Sequence, residues 1–495
     1  MNYKDYKIAI ATLGCKVNSY ESAAIIESFE GYEVVDFSQD ADIYIINTCT
    51  VTNRSDHKSR NLIRKALKKK ELNPAVKIVV TGCFAQRSEG EIAEMGEIDF
   101  IIDNQAKLDI AEIISGNDYC FTDIMQAKDF AYRPLTSMLT HTRAFQKIQD
   151  GCDFYCSYCA VPYGRGHSRS ARFEDILFQA NLFAKQGYKE IVLGGVNIGL
   201  YRDPGKAPPV AQAPPVAQDA VPAESKPKDL AVAREAVPAK SETKDLASVA
   251  QDAVPAESET KDLASVAQDA VPAKSETKNL ASVVQALSHI PKLELIRISS
   301  IEPQLLSSAL IHKLRKVDKF CPHFHIALQS GSDTILEAMG RKYSAALVRE
   351  MVAEILSLFP DAAIGFDVIC GFPGETDTLF EQTLNFLSSL PICYLHVFSF
   401  SKRKGTPADT MPNQVNGKVK TQRAGQLTAL SLAKKEEYAR LLKKQNSLIR
   451  GVVELSENGS SESLSDHYLR IRVPEELEIG SLISVPADKL EFDLS

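Results

Sequence analysis

The chain has 495 residues, enough for about three domains that each bury a core. Its 44% hydrophobic and 24% charged residues are those of a soluble globular protein, and the absence of 18 consecutive uncharged apolar residues argues against a transmembrane helix. The net charge of −7 does not suggest a nucleic-acid binder as a whole, although net charge averages over local basic patches.

Residues 1–128 alternate short apolar runs with polar helical stretches. KIAIATLGC, DIYIINTC and KIVVTGC read as buried parallel strands, with NRSDHKSRNLIRKALKKK and ESAAIIESF as helices, predicting an open parallel sheet. A second β/α series, over residues 138–416, has candidate strands YKEIVLGG, LELIRISS, FHIALQ, AAIGFDVICG and YLHVFSF. Between them lie helix-period stretches such as FEDILFQANLFAKQG and AALVREMVAEILSLF. This α/β pattern predicts a full or partial (β/α) barrel with its chemistry at the carboxyl ends of the strands. Residues 205–282 interrupt it: they contain no aromatic residue and nine of the 23 prolines, and SETKDLASVAQDAVPA recurs with a 17-residue period from Ser241 and Ser258, with a degraded copy from Ser275. So little apolar volume predicts a disordered loop expansion. Residues 417–444 read as one basic helix with eight Lys/Arg against two Glu, and residues 445–495 as short strands of a small β-barrel.

Cys152, Cys156 and Cys159 fall in GCDFYCSYC, with three and then two residues between thiols. Short cysteine runs hold Fe–S clusters. Three ligands on a 4Fe–4S cluster leave one iron open to a small molecule. The alternatives are a zinc site or buried thiols; tetrahedral zinc usually pairs one C-x-x-C with a second Cys or His pair, and the chain has no second C-x-x-C. Cys15, Cys49 and Cys83 each follow an apolar strand, 34 residues apart both times. Loops at the carboxyl ends of parallel strands meet on one edge, so a second triad is expected there. The alternative is three ordinary buried cysteines. The first residues, MNYKDYKIAIATLG, lack the pattern of a signal peptide, and the scattered cysteines are expected to be cytoplasmic thiols and metal ligands.

TLGCKVNSYES, NTCTVTNRSDHKSR, TGCFAQR and IQDGCDFYCSYCAVPYGRGHSRSAR resemble the signatures of the radical-SAM methylthiotransferases, nearly throughout the chain outside the insert and more weakly near the C-terminus. LGCKVN, CTVTNRSD and the tail Arg169, Ser170 and Arg172 resemble the branch acting on threonylcarbamoyl-adenosine in tRNA. The resemblance implies two 4Fe–4S clusters. One, on Cys152, Cys156 and Cys159, binds S-adenosylmethionine; the other, on Cys15, Cys49 and Cys83, serves sulfur insertion. It further implies a tRNA anticodon stem-loop as substrate, a flavodoxin- or ferredoxin-like electron donor, a sulfur source, and a C-terminal TRAM-like module. Cofactor contacts are expected at strand ends: Gly194 and Gly195; Ser300 and Glu302 in RISSIEP; Gln329 and Ser330 in ALQSGSD; and Gly371, Phe372 and Pro373 in GFPGE. Tyr158 is expected beside the cofactor adenine or in plain core.

For RNA, residues 54–70 hold eight Lys/Arg and one Asp, with Ile63 and Leu67 spaced to bury one face. Arg165 and Arg169 are the expected partners of the threonylcarbamoyl carboxylate. No general base is singled out; His57, His141, His167, His323, His325 and His396 are candidates by type alone. Three features depart from the family: Phe400 and Lys404 replace Tyr and Pro, Cys370 replaces an aliphatic residue, and residues 445–495 carry ten Asp/Glu against four Lys/Arg. Two competing functions remain. One is the same chemistry on isopentenyl-adenosine tRNA or a ribosomal protein; the other is a non-enzymatic, metal-containing RNA-binding protein.

Overall fold

Parallel strands covered on both faces must be apolar for most of their length, and the three N-terminal runs meet that demand. In the computed structural model, which describes residues 6–29, 31–138, 141–205 and 277–494, they are β1 (Lys7–Thr12), β3 (Ile43–Thr48) and β4 (Lys77–Gly82). With β2 (Glu33–Val35) and β5 (Phe100–Ile101), both too short to stand out in the sequence, they form a parallel sheet in the order β2-β1-β3-β4-β5. Helix Lys16–Glu27 begins five residues before the expected ESAAIIESF segment. Helix Asn53–Leu72 starts from a capping box between Thr52 and Ser55.

The second domain opens with β6 (Ala144–Lys147) and a short antiparallel ribbon of β7 (Gln149–Asp150) and β8 (Arg169–Ser170). β6, β9 (Glu190–Gly194) and β10 (Leu295–Ile298) form one parallel sheet; β11 (His323–Gln329), β12 (Ala363–Cys370) and β13 (Tyr394–Ser399) form another. Parallel bridges Ile296–Phe320 and Ile301–Ile326 join the two into a partial barrel. Side chains alternate along each strand. Glu190, Arg297, His325, Asp367 and His396 therefore share the inner face, while Ile296, Ile298, Phe324 and Ile326 pack outward in the main apolar core.

Most of the repeat insert, 206–276, lies outside the described residues, but its flanks are well placed. Arg202 and Asn279 form an antiparallel bridge, and Asp203 N–H donates to the Lys278 carbonyl at 2.9 Å. The expected boundary at 282 is corrected. Asn279 caps a helix, Leu280–Leu287, by accepting from the Ala281 and Ser282 amides. In this last copy Val284 and Leu287 stand where the earlier copies have alanines, and Leu280, Val283, Val284 and Leu287 make a buried face.

Helix Gly417–Gln445 runs along β13 and buries Leu427, Tyr438, Ala439 and Leu442. The C-terminal module is an antiparallel sheet in the order β17-β14-β15-β16-β18: β14 (Leu448–Glu457), β15 (Ser460–Ser465), β16 (Arg470–Val473), β17 (Leu482–Pro486) and β18 (Glu491–Asp493). The serine-rich β15 was not legible as a strand. The module docks through Arg297, which donates to the Ser465 carbonyl at 2.9 Å and the Asp466 carbonyl at 3.3 Å.

Because the flanks already meet, replacing 206–276 with a short Gly/Ser link is expected to leave the melting temperature and cluster content unchanged. Asn279→Ala, which keeps the insert, should lower stability by about 1 kcal/mol in urea titrations through loss of the helix cap.

Candidate active site

β1, β3 and β4 are neighbours in the sheet, and their carboxyl ends deliver Cys15, Cys49 and Cys83 to one edge. Thr48 and Gly82 are register partners, so Cys49 and Cys83 leave the sheet side by side. Two glycines allow this crowding. Gly14, at φ 104°, would place a Cβ 2.9 Å from the Cys49 sulfur; Gly82, at φ 97°, would place one 2.3 Å from the Thr48 carbonyl oxygen. Cys49 and Cys83 are buried and Cys15 is exposed. Burial, reinforced by the charge of Cys83, pushes the Cys49 thiol up to about 11.

The second triad follows β7. Burial, followed by the charge of Cys156, raises the Cys159 thiol to about 12, and burial also raises Cys152 and Cys156. Asn197 donates to the Cys152 sulfur at 3.6 Å. Among the described residues the set of three metal-competent atoms within 4.8 Å of one another is His325, Asp367 and His396. Both cysteine triads are more open than a single tetrahedral zinc ion requires, which suits a larger cluster. The Asn104 side-chain amide likewise donates to the Cys83 sulfur at 3.9 Å, and hydrogen bonds to cysteine sulfurs are a means by which proteins tune Fe–S potentials.

The two triads are joined by Arg165. It ends the helix Val161–Arg165, which follows Cys159 and packs on the helix Cys83–Arg87. Its Nε donates to the Cys83 sulfur at 3.2 Å, and its other nitrogens donate to Glu21 and Asn18. Glu21 also takes Lys107 at 2.6 Å and Lys147 at 2.8 Å; Lys147 reaches Asp150 at 2.6 Å. All of these side chains are buried. Despite burial, Arg165, Lys107 and Lys147 hold the Glu21 carboxyl well below its usual range, and Lys147 and Arg165 bring Asp150 down to about 2. Arg165 is therefore committed to the domain junction and is not available to a substrate carboxylate, which corrects that expectation. Arg169 is likewise buried, donating to the Arg165 carbonyl at 3.0 Å and lying 3.7 Å from Asp150.

The strand-end residues gather at the carboxyl rim of the partial barrel. Gly194 ends β9, and a Cβ on Gly195 would meet Gln149 at 2.9 Å. Glu302 and the Tyr158 hydroxyl both accept from Arg341, and burial raises the Glu302 carboxyl. Tyr158 packs against the cluster of Ile369, Phe372 and Phe400. Phe400 is buried there, its ring centroid 5.4 Å from that of Phe372, so the missing tyrosine hydroxyl spares a buried polar group. Gln329 adopts φ 69°; Ser330 shares a hydrogen bond with Thr383; Gly371 N–H donates to Glu375 at 2.8 Å; Pro373 is buried beside it. Ser300 donates to Asp367 at 3.3 Å, and Asp367 also pairs with His325 at 2.9 Å and His396 at 3.4 Å. These hydrogen bonds hold the Asp367 carboxyl low against the cost of burial. Sequence reading missed Asp367 and Arg341. The alternation of His325 with His323 and the period-2 match of Asp367 were the available signals.

The basic segments divide. In helix Asn53–Leu72, Ile63 is buried, and Arg60, Lys69 and Lys70 are paired with Glu91, Asp40 and Asp99, whereas Arg54, Lys58, Arg64, Lys65 and Lys68 are exposed. In helix Gly417–Gln445, Arg423 is locked to Glu375 and Asp377, and Lys434 to the Leu390 carbonyl. A cavity of about 580 Å³ opens between the segment after Cys49 (Thr52–Arg54) and the end of β13, with Phe398 and Lys402 in its wall.

Removing the central carboxylate should unsettle the junction. Glu21→Ala leaves three buried cations without their shared anion and is expected to cost about 3–5 kcal/mol in urea unfolding. Glu21 and Asp150 are depressed in the folded state, so their stabilisation is present above their ordinary values of 4.5 and 3.8 and is lost as pH falls from there through about 2. The urea midpoint should fall across that window, and less steeply in Glu21→Gln.

Residues 7–103 match the uncharacterized protein family UPF0004, and residues 147–208 and 276–387 match the radical SAM superfamily, the split coinciding with the repeat insert. The chain is 34% identical over 444 residues to the threonylcarbamoyladenosine tRNA methylthiotransferase MtaB of Bacillus subtilis, covering 87% of this chain and 82% of that protein. It is 30% identical to the MtaB of Aquifex aeolicus, covering 97% and 99%. It is 28% identical to a tRNA-2-methylthio-N(6)-dimethylallyladenosine synthase of Methylobacillus flagellatus, covering 86% and 83%. Among solved structures, the radical S-adenosylmethionine methyltransferase TsrM of Kitasatospora setae superposes with a TM-score of 0.51 at 11% identity, covering 82% of this chain and 75% of that one, a likeness of fold. With two cysteine triads on one junction and matches of this extent, the chain belongs to the radical SAM methylthiotransferase family.

Proposed function

We propose that the protein adds a methylthio group to carbon 2 of N6-threonylcarbamoyladenosine beside the tRNA anticodon. The observation that carries this reading is the joining of two three-thiol sites by Arg165, which touches a ligand of one from the helix that follows the other. The substrate assignment is supported by the relatives from B. subtilis and A. aeolicus, named for that nucleoside.

In this reading Cys152, Cys156 and Cys159 hold one 4Fe–4S cluster and Cys15, Cys49 and Cys83 the other. When bound, the first would supply the electron for cleavage of S-adenosylmethionine into methionine and a 5′-deoxyadenosyl radical, and the second would supply the sulfur to be inserted. The chain's own residues position and shield. Gly194, Gly195, Ser300, Glu302, Gln329 and Ser330 present backbone and polar groups to the methionine and ribose. Tyr158, Gly371, Phe372 and Pro373 offer an apolar wall to the adenine. Arg341 fixes Tyr158 and Glu302 together, so both sides of that pocket move as one unit. The cavity between Thr52–Arg54 and the end of β13 admits an unstacked loop base, the form in which proteins read RNA. Arg54, Lys58, Arg64, Lys65 and Lys68 then face the backbone phosphates. A flavodoxin- or ferredoxin-type reductant and a sulfur source complete the cycle.

Anoxically reconstituted protein is expected to hold about eight irons per chain, falling to about four when Cys152, Cys156 and Cys159 are all changed to Ala. Zinc without iron would remove the enzyme reading. Mass spectrometry of nucleosides from cells with and without the gene tests the substrate: the methylthio-threonylcarbamoyl nucleoside should disappear with the gene. Disappearance of the methylthio-dimethylallyl nucleoside instead would move the protein to the other tRNA branch. A methylthio mass lost from a ribosomal protein, with both nucleosides unchanged, would leave only the chemistry.

A further inference from the structure

Arg165 and Arg169 are buried and spent at the domain junction, and the inner face of the partial barrel offers another cation for a substrate carboxylate. Lys16 follows Cys15 and begins the helix Lys16–Glu27. Its ammonium lies 5.9 Å from the Phe145 ring centroid on β6 and 6.0 Å from that of Tyr468 in the C-terminal module. It shares this space with Arg143, Arg297, Glu190 and His323. The other permanent charges there are paired: Arg297 with Glu190 at 2.8 Å, and Arg143 with Glu454 at 2.8 Å. Among the described residues, no carboxylate lies within ion-pair distance of Lys16. A half-buried cation between two aromatic rings, beside two arginines whose carboxylates are spent on them, is a site that gains from an incoming anion.

The chemistry of the target base makes that anion specific. Carbon 2 and the N6 substituent of adenine flank the same ring nitrogen. A base that turns carbon 2 toward the cleft of Cys15, Cys49 and Cys83 also turns its N6 substituent toward that wall, and Lys16 is the residue next to Cys15. We propose that Lys16, with Phe145 and Tyr468 as walls, forms the subsite for the carboxylate of the threonylcarbamoyl group. The subsite thereby distinguishes an anionic N6 substituent from an uncharged apolar one. The inference rests on the substrate reading above.

The test uses the full-length, anoxically reconstituted protein and short anticodon stem-loop RNAs carrying either threonylcarbamoyladenosine, its carboxamide analogue, or plain adenosine, with affinity read by fluorescence anisotropy at fixed salt. Wild type should prefer the carboxylate RNA over the other two. Lys16→Gln should lose about tenfold of that preference, the usual worth of a charge-assisted contact, while its affinity for the plain RNA changes little. Lys16→Arg should keep part of the preference, and iron content and melting temperature, measured on each variant, should match wild type. Full preference retained in Lys16→Gln overturns the subsite. So does an altered iron content or cluster EPR signal in Lys16→Gln with the preference intact, because the cation would then serve the cluster. Absence of any preference in the wild type overturns the substrate reading itself, an outcome visible without the variants.

Discussion

The site depends on one buried electrostatic knot. Glu21, from the N-terminal sheet domain, is enclosed by Lys107 of that domain and by Lys147 and Arg165 of the barrel domain, with Asp150 as the second carboxylate. Burying so many charges is expensive, and such a knot is weak evidence for net stability. Its value here is geometric. Charges taken out of water tolerate only arrangements in which each is matched, so the two domains can meet in few ways. Arg165 turns that constraint into a statement about chemistry, because the same guanidinium that satisfies Glu21 touches the Cys83 sulfur. Four cations, Lys107, Lys147, Arg165 and Arg169, face two carboxylates. The surplus positive charge borders the cysteine cleft, since Arg165 touches the Cys83 sulfur.

A second tie acts at the other side of the cleft. Arg403, just past β13, donates to Thr50 and Asp56 and at 2.8 Å to Asn53, all in the segment after Cys49. Arg87, four residues after Cys83, donates to the Lys404 carbonyl at 2.6 Å. Two of the three cysteine loops are thus held from the barrel side. Neither tie uses a residue type that is unusual by itself; each depends on a partner more than a hundred positions away in the chain.

The C-terminal module is tied to the barrel by specific contacts, among them those of Arg297 and Arg143. Part of its acidic set serves docking and internal pairing: Asp466 holds Arg450 and His467, Glu454 holds Arg143 and Arg470, and Glu462 holds Arg472. Tyr468 stacks on His323 with ring centroids 4.3 Å apart and closes the inner face of the barrel from below. The other seven of its ten acidic residues are exposed, so the module presents an acidic surface. Exposed cations lie on helix Asn53–Leu72 and also on helix Gly417–Gln445, where Lys418, Arg440, Lys443 and Lys444 are exposed.

The six cysteines, the strands that carry them and the order of the β/α units were legible in the sequence, because they follow local rules. An apolar run of fixed length makes a buried parallel strand, a glycine before a cysteine opens a tight turn, and three equivalent strand ends share an edge. The short strands β2, β5 and β6 and the serine-rich β15 carry too little local signal; neighbouring strands recruit them. The insert's far boundary was misplaced for a related reason: across 280–287 the last repeat copy differs from the earlier ones at three positions, 284, 286 and 287, and the weight of Val284 and Leu287 is seen only in the core they join. What the sequence could not fix was the commitment of its charged residues. Arg165 and Lys16 are both cations beside cysteines of the N-terminal triad. Their opposite fates, one locked in a buried network and one without an ion-pair partner among the described residues, are set by the carboxylates that folding brings within reach, and that distance exists only in three dimensions.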